Sequence, residues 1–122
     1  MLKRLTIQNY ALIENLDIEF PNGLIIITGE TGAGKSILMG ALSLLLGAKA
    51  DAMVVKDSNR NCVVEGEFDN NGEEIILRRV ISANGRSRSF INDEPATMAA
   101  LADVSSRIID IHAQHQHLLL AN

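Results

Sequence analysis

The sequence predicts an α/β fold, in which antiparallel strands surround a central strand–loop–helix unit. Three observations predict it. An apolar run at residues 24–28 leads straight into a glycine-rich loop, and apolar residues then recur at helical spacing. Alternating segments stand on both sides of that unit. Turn signals separate neighbouring segments at Pro21-Asn22-Gly23, Asn70-Asn71-Gly72 and Ala83-Asn84-Gly85.

The elements follow in order. Residues 2–7 alternate as a strand does, and residues 15–20 put Leu16, Ile18 and Phe20 on one face with Asp17 and Glu19 on the other. The run at 24–28 does not alternate, which predicts a central strand covered on both faces. Ile37, Leu38, Ala41, Leu42 and Leu45 predict a buried helix over 35–46, with Gly47 as its stop. Residues 48–60 are polar and irregular apart from Met53-Val54-Val55. Strands are predicted at 61–68, 74–82 and 86–92, the first two joined by an Asn-Gly hairpin turn. Pro95 predicts a helix start, with the helix running to about 106 and a short apolar strand at 107–111 after it.

Composition narrows the class. A chain of 122 residues suffices for one domain with one core, and 47% apolar residues argue against disorder. Eleven Lys and Arg against fifteen Asp and Glu give a net charge of −4, which excludes a strongly basic nucleic-acid module but not a local basic patch. The single cysteine, Cys62, allows no internal disulfide and fits a reducing compartment as a small strand residue. No apolar run approaches the roughly 20 residues needed to span a bilayer, and the first residues hold no signal-peptide core. A cytoplasmic protein without a membrane partner is expected.

Gly29-Glu30-Thr31-Gly32-Ala33-Gly34-Lys35-Ser36 satisfies G-x-x-x-x-G-K-[ST] in full. A phosphate chain is bound by convergent backbone N–H groups, and side chains at glycine positions would obstruct that approach. The following helix adds the partial positive charge of its N-terminus. Lys35 supplies a flexible charge for the β- and γ-phosphates, and Ser36 a hydroxyl for Mg²⁺. The pattern therefore predicts a P-loop that binds ATP with Mg²⁺ through Gly29, Glu30, Thr31, Gly32, Ala33, Gly34, Lys35 and Ser36.

Beyond the loop, several segments resemble a known family. They are Leu5-Thr6-Ile7-Gln8-Asn9-Tyr10-Ala11-Leu12-Ile13, the P-loop with Thr31 and Ala33, and Leu44-Leu45-Leu46-Gly47-Ala48-Lys49-Ala50. Asn84-Gly85-Arg86-Ser87-Arg88-Ser89-Phe90-Ile91-Asn92 and Asp110-Ile111-His112-Ala113-Gln114-His115 are more specific still. Together they resemble the head of the RecN family of bacterial DNA repair proteins, in the SMC-like branch of ABC-type ATPases. The resemblance covers nearly the whole chain.

It implies a P-loop NTPase fold of the ABC/SMC-head type, with an antiparallel β subdomain around the strand–P-loop–helix core. It implies that residues 1–122 are the N-terminal lobe, cut before a coiled coil; the signature motif, Walker B aspartate and catalytic glutamate would belong to a C-terminal lobe. Recombinational repair of double-strand breaks, a homodimer of heads that sandwiches ATP, DNA as partner and a nucleoid location follow as expectations. Gln114 matches the family's glutamine-loop position, where its amide would reach Mg²⁺ and the attacking water, so that Lys35 and Gln114 are the catalytic candidates and Ser36 and Gln114 the metal ligands. Lys56 stands where the family commonly has arginine, and Asp93 where glycine is usual.

Further residues invite other readings. His112, His115 and His117 are spaced as metal ligands can be, but the resemblance accounts for that stretch without zinc. Alternation puts Arg86 and Arg88 on one strand face and Arg78 and Arg79 on opposite faces, a candidate DNA contact. A competing class is the nucleotide-binding subunit of an ABC-type transporter, with Tyr10 offered as the aromatic that stacks on adenine. A small stand-alone kinase is disfavoured by the antiparallel insert between the helix and Gln114.

Overall fold

The computed structural model describes residues 2–20, 26–27, 32–49, 54–112 and 117–119. Two sheets and two helices make up the described part. The strands β1 (Leu2–Tyr10), β2 (Ile13–Glu19), β4 (Cys62–Asn70), β5 (Glu73–Ile81), β6 (Ser87–Ile91) and β7 (Glu94–Ala96) form an antiparallel sheet in the order β2-β1-β4-β5-β6-β7. A second sheet of order β3-β9-β8 joins β3 (Ile26–Ile27), β9 (His117–Leu119) and β8 (Asp110–His112). Helix α1 spans Gly32–Leu45 and α2 spans Met98–Ile108.

The six-stranded sheet is built mostly from local hairpins whose turns suit their residues. Asn71 and Gly72 both have positive φ, as a two-residue hairpin loop requires. Asn92 and Asp93 do the same between β6 and β7. Asp93, at the position where glycine is usual in the resembled family, holds φ +66° and accepts a hydrogen bond from Arg78 Nη1 at 2.8 Å. Side chains alternate along each strand. Leu5, Ile7, Cys62, Val64, Phe68, Leu77 and Ile81 turn to the inner face and are buried. Helix α1 covers that face against β4 and β5, bringing Ala41, Leu42, Leu44 and Leu45, while α2 packs on β6 and adds Leu101 and Ile108. Burying each of the large side chains contributes about 1.5–3 kcal/mol by removing apolar surface from water.

Four details differ from the sequence expectations. Pro95 does not open a helix; it lies in β7, opposite Phe90, and α2 starts at Met98 with Thr97 as N-cap, whose Oγ1 accepts from Ala100 N at 3.0 Å. An edge strand tolerates proline, because its missing N–H faces away from the partner. Arg107 and Ile108 finish α2 instead of opening a strand, and β8 begins at Asp110. The run at 24–28 contributes Ile26–Ile27, an edge strand of the smaller sheet among the described residues, where a central strand is expected. An unalternating run cannot by itself separate edge from centre. Finally, β9 lies in a histidine- and leucine-rich stretch with no period-two pattern to announce it.

Candidate nucleotide-binding site

The glycine-rich motif leads into α1. Gly32, Ala33, Gly34, Lys35 and Ser36 are the first five residues of the helix, which starts inside the loop, three residues before the expected 35. No acidic residue stands in its first turn, so no carboxylate competes there for the positive end of the helix. Gly29, Glu30, Thr31 and Gln114 lie outside the described residues.

The strand register bears on how the two ends of the chain meet. Ile27 pairs with Leu118 and Ile26 with Leu119, antiparallel. The end of β3, which runs on toward the glycine loop, is therefore at the same end of the sheet as the start of β9, which follows the segment holding Gln114. β8 pairs with β9 through His112 and His117, while His115 lies outside the described residues. Among the described residues no group of three or more His, Cys, Asp or Glu could hold a metal ion.

The far end of α1 is tied down in detail. Ala48 N donates to Ser43 O at 3.0 Å and Gly47 N to Leu44 O at 3.2 Å, with Gly47 at φ +95°, which is a Schellman stop. Arg79, only 3% exposed on the inner face of β5, adds its guanidinium. Its Nη1 donates to Leu44 O at 2.9 Å and to Ala48 O, and its Nε to Ser87 Oγ at 2.9 Å. Burial lowers the guanidinium pKa, yet an arginine stays charged in proteins. Strand alternation makes Arg79 a candidate DNA contact, and its burial argues against that role.

The other arginines divide by pairing. Arg78 donates to Asp93, lies 3.3 Å from Glu65 and sits 4.6 Å over the Phe90 ring. Arg4 pairs with Asp17 at 2.5 Å, Arg60 with Asp57 at 3.4 Å and Arg107 with Asp103 at 2.6 Å. Arg86 and Arg88 are exposed and have no such partner among the described residues. They line a concavity of about 590 Å³ with Asn61, Ser82, Asn84 and Ser87.

Two residues near the start of the chain acquire roles that the sequence did not reveal. Asn9 is buried at φ +56°. Its Nδ2 donates to Asp57 O and Arg60 O at 2.9 and 3.0 Å, and its Oδ1 accepts from Asp57 N at 2.7 Å. This amide organises the loop that carries Lys56, whose Nζ lies 3.3 Å from Glu14 Oε1. A buried polar residue at the end of a strand, just before an alanine turn, was the available signal. Tyr10 is half-buried against the core, its hydroxyl over Gly40 of α1. Burial, then the neighbouring Cys62, raises its pKa. A tyrosine packed inward is not free to stack on an adenine.

A six-stranded antiparallel sheet covered by α1 and α2, beside a smaller sheet, is the fold found in SMC head domains. A structure from work on ATP-driven dimerization and DNA-stimulated activation of SMC ATPases superimposes with a TM-score of 0.71 at 22% identity, over 86% of this chain and 77% of that one. The DNA repair protein RecN of Xylella fastidiosa (strain Temecula1) is 37% identical over 98% of this chain and 24% of its own length. RecN of Vibrio cholerae is 40% identical over 96% of this chain, again 24% of its own length. The chain belongs to the AAA domain family, whose model matches residues 4–116. It spans about a quarter of the length of the curated relatives it matches.

Proposed function

We propose that residues 1–122 are the ATP-binding N-terminal lobe of an SMC-like ATPase that acts in recombinational repair of DNA double-strand breaks. The observation that carries this reading is a complete phosphate-loop motif running into the positive end of α1, within a lobe of SMC-head fold. Backbone amides of Gly29 to Gly34 and the Lys35 ammonium hold the phosphates. Ser36 and Gln114 offer a hydroxyl and an amide oxygen, hard donors of the kind Mg²⁺ prefers. When bound, the metal neutralises charge on the β- and γ-phosphates. Gln114 orients the attacking water and reports the γ-phosphate. The common end shared by β3 and β9 supports a Gln114 segment close to the P-loop.

One lobe cannot complete the chemistry. The signature motif and the carboxylates that assist hydrolysis belong to a C-terminal lobe and to a second head, so ATP binding drives two heads together and hydrolysis parts them. DNA phosphates engage Arg86 and Arg88, the exposed arginines without carboxylate partners among the described residues, in a nucleoid-associated protein of the cytoplasm. Among the described residues no helix is long and apolar enough to cross a membrane. No specific observation favours the transporter reading, and the inward Tyr10 removes its best support.

The test is self-association of the full-length protein, followed by light scattering with ATP and Mg²⁺. Dimers that form with ATP and not with ADP are expected, and a mass indifferent to nucleotide would refute head engagement. Reversing charge at Arg86 and Arg88 should lower DNA affinity and reduce the salt slope by about 2. An unaltered slope would exclude them from the interface.

A further inference from the structure

Arg79 is a buried cation for which nucleotide binding, as described above, needs no direct contact. Its guanidinium spans three acceptors on two elements: Leu44 O and Ala48 O at the end of α1, and Ser87 Oγ at the start of β6. None of its partners among the described residues is a carboxylate. The negative charge it meets is the carbonyl end of the helix dipole.

Part of the helix end is satisfied without Arg79, since the Gly47 and Ala48 amides bond Leu44 O and Ser43 O. What an arginine supplies, and a methionine does not, is geometry: a planar fork that fixes the end of α1 relative to β6. At about 1.5 Å rise per residue, the 14 residues of α1 form a rod of roughly 21 Å. Its far end is the P-loop. A rod held at its C-terminus cannot slide or tilt freely, so the amides of Gly32 to Ser36 are held at a defined depth against the sheets.

We propose that Arg79 is a positioning residue for the nucleotide site, setting the placement of α1 and through it the P-loop. The inference rests on the nucleotide-binding reading. The test measures ATPγS affinity in the presence of Mg²⁺ by calorimetry on full-length protein, alongside thermal melting, for Arg79→Met, Arg79→Lys and Ser87→Ala. Arg79→Met strands the Ala48 carbonyl and should melt lower, yet while folded it should bind about tenfold more weakly, since misplacement near 1 Å weakens a preorganised site. Arg79→Lys retains the charge but not the fork and should also lose affinity. Ser87→Ala, which cuts only the tie to β6, should fold normally and show a smaller loss in the same direction. Folded variants that all bind as tightly as the unaltered protein would overturn the proposal, because a purely stabilising residue leaves folded-state affinity unmoved. Absence of binding by the unaltered protein would instead overturn the nucleotide reading.

Discussion

The two sheets of this lobe are held in different ways. In the six-stranded sheet, β1 pairs with β2, β4 with β5, β5 with β6 and β6 with β7 as chain neighbours, and only β1 with β4 reaches across α1. Its inner face is an apolar layer that includes Phe68, Leu77 and Ile7, interrupted by the buried Arg79. In the smaller sheet, β3 finds its partner some ninety residues later, through two residue pairs with β9. The larger sheet closes by short loops, whose entropy cost is small, while the smaller one must close a long loop for few bonds. The scaffold half is therefore locally determined, and the half that carries the P-loop depends on it. Helix α1 is the link: its apolar face packs on the larger sheet, and along the chain it follows β3 of the smaller one.

That contrast can be broken at the scaffold first. Phe68 is fully buried on the inner face, and Phe68→Ala should cost about 3–5 kcal/mol in denaturant unfolding. A loss under about 1 kcal/mol would show that the sheet does not carry the lobe. The seam between sheet and α1 comes next. A methyl group on Gly40 would collide with the Tyr10 hydroxyl, so Gly40→Ala should destabilise by about 1–3 kcal/mol, despite the better helix propensity of alanine. Tyr10→Phe should restore much of that loss in the double mutant; without such recovery, the seam is packed differently. The smallest effect is expected from pH. Burial pushes the Cys62 thiol up to about 11, so the fold favours the neutral form. The contribution is complete below the unfolded-state value near 9 and is lost as pH rises through about 11. Cys62→Ala should flatten the alkaline limb of a stability–pH profile between those values, and an identical slope would dissociate the thiol from it.

The legibility of the sequence follows the same division. Period-two patterns and the Asn71-Gly72 turn announced β2, β4, β5 and β6 within a residue or two, and β1 apart from its last three residues, because each strand shows one face to a core and one to solvent. β7 stayed hidden, since Pro95 and a three-residue length resemble a helix start, and only the Asn92-Asp93 turn betrays a hairpin. β9 stayed hidden because its partner is remote. At the site, the P-loop was readable as a contiguous motif whose spacing is itself the chemistry. Arg79 and Asn9 were not, because each acts on backbone groups 31 to 51 residues away, which no local pattern encodes. Arg79 carried the same letter as Arg78 and Arg86, and only burial separates a structural cation from a free one.

The central claim is that the Gly29-to-Ser36 loop binds a nucleoside triphosphate. Calorimetry of ATP with Mg²⁺ on the full-length protein and its Lys35→Ala variant tests it most directly. Loss of a charge-assisted contact to the phosphates predicts about 2–3 kcal/mol, or roughly 30- to 150-fold weaker binding, in a variant that melts like the unaltered protein. Equal affinity in the two proteins would contradict the assignment of the site.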